Sequence, residues 1–147
     1  MGKSMNSFEI QLPDGWEDQT VYFFRGPKID DRDHQIIMTI DRNPRQDNIA
    51  EFASLRTRPV VEAMQGVEIL KDEETTLSGC YPSYEFVYKW IPAEGIKVLK
   101  KNIFVLHGRY GFSFEIEFSK KSYKMLGGAV RKLIEKILPG TYEPTDE

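Results

Sequence analysis

Few residues in this chain could do chemistry, and they are scattered. There are 2 histidines, His34 and His107, and 1 cysteine, Cys80. The histidines are far apart and lack His-x-x-x-His spacing, whereas a zinc site takes about four ligands; both read as strand-end residues. Cys80 lies in Gly79-Cys80-Tyr81-Pro82, which reads as the entry to a strand and carries no signature of a nucleophile. Glu115 and Glu117 resemble the carboxylate pair of a glycosidase. They fall opposite Asn102 and Lys100 in the hairpin described below, and cross-strand pairing accounts for them. The acidic runs Asp30-Asp31-Arg32-Asp33 and Asp72-Glu73-Glu74 lack the spacing of an EF-hand and read as solvated loop and strand. Gly2-Lys3-Ser4 lacks the glycine loop of a phosphate-binding site. No nucleophile, base and orienting group can be named together, so the expectation is a protein that is not an enzyme, with no metal and no cofactor.

The elements that would position any site come next. Phe8 to Leu12 alternates and stops at Pro13-Asp14-Gly15. Thr20 to Arg25 is β-rich and closed by Gly26-Pro27. His34 to Asp41 puts Ile36, Met38 and Ile40 on one face and Gln35, Ile37 and Thr39 on the other. Asn48 with Glu51 fits a capping box, and Ile49, Phe52, Ala53, Val60 and Met64 follow helical spacing. Pro59 should kink or shorten this helix near Arg58, and Gly66 closes it. Val67 to Ser78 reads as a long, partly exposed strand. A last helix, Lys120 to Leu138, carries a stripe of Tyr123, Leu126, Val130, Leu133, Ile134 and Ile137. Gly127-Gly128 inside it weakens it, for close packing on the sheet or for local give.

Three late strands can be paired by arithmetic. A two-residue Gly108-Arg109 loop sets Phe104 opposite Ser113, Asn102 opposite Glu115 and Lys100 opposite Glu117. Ile103, Val105, Phe112, Phe114 and Ile116 then share an apolar face. A Pro92-Ala93-Glu94-Gly95 loop would add Tyr84, Phe86, Tyr88 and Trp90 to that face, leaving Ser83, Glu85, Val87 and Lys89 opposite. The aromatic face should pack under at least the C-terminal helix. Val21, Phe23, Ile37, Phe104 and Leu106 would share the second face with Gln35, Thr39, Asn102 and Glu85. That mixed face is either ordinary solvated surface or a binding groove.

Composition bounds the class. The chain has 147 residues, 40% hydrophobic and 29% charged, the measure of one globular domain. Lys+Arg is 20 against Asp+Glu 23, a net charge of −3, which argues against a nucleic-acid binder. No apolar run resembles a signal peptide or a membrane span, so a cytoplasmic protein is expected. Gly2 is not set up for myristoylation, because position 6 is Asn6. The expected organisation is a tail over 1–6, one domain over 7–140 and a tail over 141–147. The fold class is α+β, a mainly antiparallel sheet with two main helices.

Leu12-Pro-Asp-Gly-Trp-Glu-Asp-Gln-Thr-Val-Tyr-Phe-Phe24 is followed by three further stretches. They are Ile36 to Arg42, Gly79 through Tyr88-Lys-Trp90, and Lys101-Asn-Ile-Phe-Val-Leu-His-Gly108. In that order they resemble the DcrB-like domain family, and within it the Eag-type effector-associated chaperones of type VI secretion. The resemblance spans nearly the whole chain; Pro-Asp-x-Trp-x-Asp-Gln before an alternating strand is its best-marked part. It implies a PsbP-like fold and a bacterial cytoplasmic homodimer. It also implies binding of the N-terminal transmembrane helices of effectors with a PAAR spike domain, shielding them until export. The implied groove residues are Val21 and Phe23, Ile37 and Thr39 on the next strand, and the polar Asn102; Thr39 stands where an aliphatic residue is the pattern. Gln35 and Phe104 share that face and complete the expected helix-binding groove. No nucleic-acid partner and no stable membrane insertion are expected. A carrier of small hydrophobic ligands or lipids on the same face is the alternative.

Overall fold

The computed structural model describes residues 11–64, 66–91, 95 and 97–140. Its elements are β1 (Gln19–Arg25), β2 (Gln35–Asp41), α1 (Ile49–Ala63), β3 (Glu68–Leu77), β4 (Tyr81–Trp90), β5 (Val98–His107), β6 (Tyr110–Phe118) and α2 (Lys120–Gly140). The strands form one antiparallel six-stranded sheet in the order β1-β2-β6-β5-β4-β3. This is an α+β fold with two helices. The strand expected over Phe8–Leu12 lies largely outside the described residues, as do both tails.

The β5–β6 register is the one the two-residue turn requires, with Phe104 opposite Ser113 and Asn102 opposite Glu115. The β4–β5 register is one residue out of step with the expectation. Trp90 pairs with Val98 and Phe86 with Asn102, because the connection spans residues 91–97 rather than a tight loop at Pro92–Gly95. A one-residue slip exchanges the faces of a whole strand. Tyr84, Phe86, Tyr88 and Trp90 therefore lie on the face of Asn102 and Phe104, and Ser83, Glu85 and Val87 lie on that of Ile103 and Val105.

Each face of the sheet thus carries a helix. Beneath α2, Met38, Ile40, Ile103, Val105, Phe112, Phe114 and Phe118 pack with Ile134 and Leu138. Beneath α1, Phe86, Tyr88 and Phe104 pack with Ile49, Phe52 and Ala53. The sequence expectation failed because it sought one apolar face, whereas α1 supplies a second cover for the β4 aromatics.

The Asn48 side chain accepts the Glu51 amide at 2.8 Å and caps α1. Pro59 does not shorten the helix near Arg58: it runs on to Ala63 with Met64 as its C-cap, close to the expected stop at Gly66. Pro59 and Leu55 are both exposed, so the carbonyl that loses its partner can turn to water. On α2, Tyr123 and Leu133 are more exposed, at 39% and 41%, than a continuous core stripe would be. A Cβ on Gly128 would meet nothing, and one on Gly127 would meet the Tyr123 ring of its own helix. Neither glycine serves close packing on the sheet.

Gly111 is the packing glycine instead. A Cβ there would lie 2.3 Å from the Phe52 ring. Gly111 pairs with Asp41 and Leu106, on the α1 side of the sheet. Its missing side chain lets Phe52 sit down on the strands, fully buried and edge-on to Phe104 at 6.4 Å.

Candidate functional site

Helix α1 covers the β4–β5 part of its face and leaves β1, β2 and much of β6 open. The open part is built from cross-strand pairs. Phe23 stands opposite Ile37 and Val21 opposite Thr39. Thr39 in turn faces Ser113, and Ile37 faces Glu115. Glu115 continues to Asn102 on β5. Alternation along β1 sends Tyr22 and Phe24 to the α2 core and Val21 and Phe23 outward. Phe23 is 63% exposed and Val21 42% exposed, beside half-buried Ile37 and Thr39.

Of the seven expected groove residues, the sheet brings Val21, Phe23, Gln35, Ile37, Thr39, Asn102 and Phe104 to one face. Six reach the open surface or its margin. Phe104 does not: it is 5% exposed and lies under Phe52, so it belongs to the α1 core. Leu106 likewise packs against the α1 cluster. Asn102 is half-buried, and its Nδ2 donates to the Phe86 carbonyl at 3.4 Å.

A charged rim borders the apolar strip. Lys100 bonds Glu115 and lies 3.8 Å from Glu117. Arg32 donates to Glu117 at 2.9 Å. Burial pushes the Lys100 ammonium down, but its hydrogen bond to Glu115 and the nearby charges of Glu115 and Glu117 together offset this and hold the pKa above the ordinary value. Gln35, Ile37 and these rim residues line a shallow depression of about 300 Å³. On the other side, Arg56 of α1 donates to Asp41 at 2.9 Å, with its guanidinium 3.6 Å over Phe52. That pair fixes the wall where α1 ends and the open strip begins.

Glu85, expected on this mixed face, lies instead in the α2 interface with its side chain 1% exposed. Lys71 donates to it at 3.0 Å, and Arg131 bonds its other oxygen. Burial raises the Glu85 pKa, but these two hydrogen bonds together with the charges of Lys101 and Lys71 outweigh that and hold it below the ordinary value. Burial holds the nearby Lys101 below its ordinary pKa; Glu85 opposes the shift, while Arg131 and Lys71 add to it. No sequence signal marks this cluster, because its members sit on three strands and a helix.

The reactive residue types are dispersed. Cys80 is exposed. His107 stacks edge-on against Tyr81 at 4.8 Å. His34 is buried beside Phe118. Among the described residues, no group of three or more His, Cys, Asp or Glu is placed to hold a metal ion. No helix among them is long and apolar enough to cross a membrane.

Fold and site together define an α+β sheet protein with a helix on each face and one half-face left open. Neither a family model nor a curated protein matches the chain. Among solved structures it superposes on PA94, a protein of unknown function from Pseudomonas aeruginosa for which a regulatory role has been suggested. The TM-score is 0.70 over 100% of this chain and 98% of that one, at 14% identity. At that identity the likeness is one of fold.

Proposed function

We propose that this protein is a cytoplasmic chaperone or adaptor that covers apolar helices of a secreted protein before export. The cargo implied by the sequence resemblance is the N-terminal transmembrane segment of a PAAR-type effector of type VI secretion. The observation that carries the reading is the outward apolar pair on the open half-face, Phe23 at 63% and Val21 at 42% exposure, flanked by Ile37. Covering what is exposed of these two side chains is worth on the order of 2–3 kcal/mol. The helix gains further by burying its own apolar stripe.

The polar groups around the strip suit the same role. Thr39, Ser113 and Asn102 offer hydrogen bonds to small or polar residues on a helix, the contacts helices use with each other in lipid. A spanning helix is about 30 Å long, whereas a seven-residue strand covers roughly 23 Å. One copy therefore covers part of one side, which is why the proposal includes a homodimer.

The test is co-expression with the N-terminal apolar segment of a PAAR-type effector encoded beside this chain, followed by co-purification and light scattering. The reading requires a soluble complex and, without cargo, a mass about twice 17.1 kDa. A strict monomer that leaves the segment insoluble would overturn it.

A further inference from the structure

We propose that the apolar shoulder of α2, with the cleft between α2 and the β1–β2 hairpin, docks an acidic amphipathic helix of a second protein. This surface lies on the opposite side of the sheet from the helix-binding strip: Phe24 and Ile36 line it, whereas Phe23 and Ile37 face the strip. Both can be occupied at once, and the inference does not rest on the cargo reading.

Helix α2 buries only part of its apolar surface. Ile134 and Leu138 reach the core, but Met125 is 56% exposed and Leu133 41% exposed. Met125, Ala129 and Leu133 recur every four residues and stand along one side of the helix. Leu126, Val130 and Leu133 wall a cleft of about 150 Å³, with Phe24, Pro27 and Ile36 across from them. A cavity of that order holds a benzene-sized group, the size of one leucine or phenylalanine side chain. An exposed apolar row beside such a cleft suits an amphipathic helix: the row meets its stripe, and the cleft takes one anchoring side chain.

Charge selects the partner. Helix α2 carries six Lys or Arg residues and one carboxylate, Glu135. Glu135 is engaged on the other flank, 3.9 Å from Arg131 and accepting the Ser78 amide. Lys132 stands seven residues from Met125 and Lys136 seven from Ala129, so both cations edge the apolar row. Arg25 borders the cleft from the hairpin. Among the described residues none of these three makes an ion pair. The acidic loop at the first turn of α2 is largely matched, Asp30 by Lys121 at 3.2 Å and Asp33 by Lys28 at 3.8 Å. Two copies docked through α2 would set lysines against lysines, so the occupant is not a second copy. A lipid surface would suit the charge but is flat, whereas Phe24 and Ile36 lie down between a helix and a hairpin. A helix with Asp or Glu on both sides of an apolar stripe satisfies the row, the cleft and the cations together.

The experiment selects binders to the full chain from a displayed library of helical peptides about four turns long, then synthesises those enriched. Enriched peptides should carry Asp or Glu on both sides of an apolar stripe. On the ¹⁵N-labelled chain they should give saturable shifts at the amides of Phe24, Ile36, Leu126 and Leu133, and none at Val21 or Thr39. Affinity should fall roughly tenfold or more in the double variant Lys132→Glu/Lys136→Glu and in Ala129→Glu, and stay unchanged in Phe23→Asp. The three altered α2 positions are exposed, so these variants should melt close to the parent. Selection of no binder, peptides without an acidic bias, or shifts on the strip side would overturn the proposal. So would affinity indifferent to the charge reversal or to Ala129→Glu, or a chain that sediments with phosphatidylserine vesicles in place of binding peptide. None of these outcomes decides whether Phe23 holds cargo, so the two readings fail separately.

Discussion

Replacing Glu85 by glutamine should be among the most damaging conservative changes in this protein. The carboxylate is bonded by Lys71 and Arg131 and lies close enough to Lys101 to stabilise that cation. Its side chain is 1% exposed, while those of Lys71 and Arg131 are 43% and 35% exposed. Removing it leaves Lys101, 8% exposed, beside two cations and without the anion that offset them, since Glu135 lies 3.9 Å from Arg131 but does not act on Lys101. Breaking a buried pair costs about 3–5 kcal/mol and an exposed one about 0–1 kcal/mol. Lys71 and Arg131 can swing into water but Lys101 cannot, so a loss of about 2–3 kcal/mol is expected. In a chain of this size that lowers the melting temperature by roughly 5–10 °C. Urea unfolding should show a lower midpoint at unchanged slope. Glu115→Gln, which breaks a pair at the exposed rim, should cost less than about 1 kcal/mol. Adding Lys101→Met to Glu85→Gln should restore part of the loss. If Glu85→Gln is no worse than Glu115→Gln, or Lys101→Met deepens the damage, the burial argument is wrong.

Three further outcomes follow from the same geometry. The folded Glu85 pKa is below its ordinary value of 4.5, so its contribution is complete above that pH and fades as pH falls through the folded value. Urea midpoints should therefore be flat above about pH 5.5 and fall below about 4.5, and Glu85→Gln should show a shallower acid decline. Gly111→Ala should cost about 1–3 kcal/mol by driving a methyl into the Phe52 ring; Phe52→Leu in the same chain should recover part of it, read by thermal melts. Cys80→Ser and His107→Ala should each keep the fold and cargo capture, since neither residue belongs to the strip or to a metal cluster. Stoichiometric zinc lost in either variant would contradict that.

The parts of the fold that were legible in the sequence were those set by local rules. The Gly108-Arg109 turn dictated the β5–β6 register, and Asn48 dictated where α1 begins. Alternation on β2, taken with the resemblance for β1, put Val21, Phe23, Ile37 and Thr39 on one face, and the β1–β2 register pairs them there. Properties that depended on distant elements were not legible. The parity of β4 turned on the span of the 91–97 connection, which no turn motif announces. The cover over Phe104 is α1, whose docking depends on Gly111 being bare. Glu85 read as a surface residue because its partners, Lys71, Lys101 and Arg131, come from other strands and from α2. Of the candidate strip, the apolar pair on β1 was visible through the resemblance. Its boundary at Phe104 was set by tertiary packing and was not.

The central claim is that the open half-face carries the cargo, and a pair of charge substitutions tests it most directly. Phe23 is 63% exposed and Phe114 1% exposed, on opposite faces of the sheet. Burying an unpaired carboxylate costs several kcal/mol, comparable to the ~5–15 kcal/mol that holds a domain together. Phe114→Asp should therefore be unfolded or insoluble. Phe23→Asp should melt within about 2 °C of the parent, since an exposed substitution changes stability little. In the co-expression assay with a PAAR-type effector segment, Phe23→Asp should nevertheless lose the segment, because an apolar helix cannot dock against a solvated charge. A folded Phe23→Asp protein that still holds its cargo as well as the parent would contradict the account.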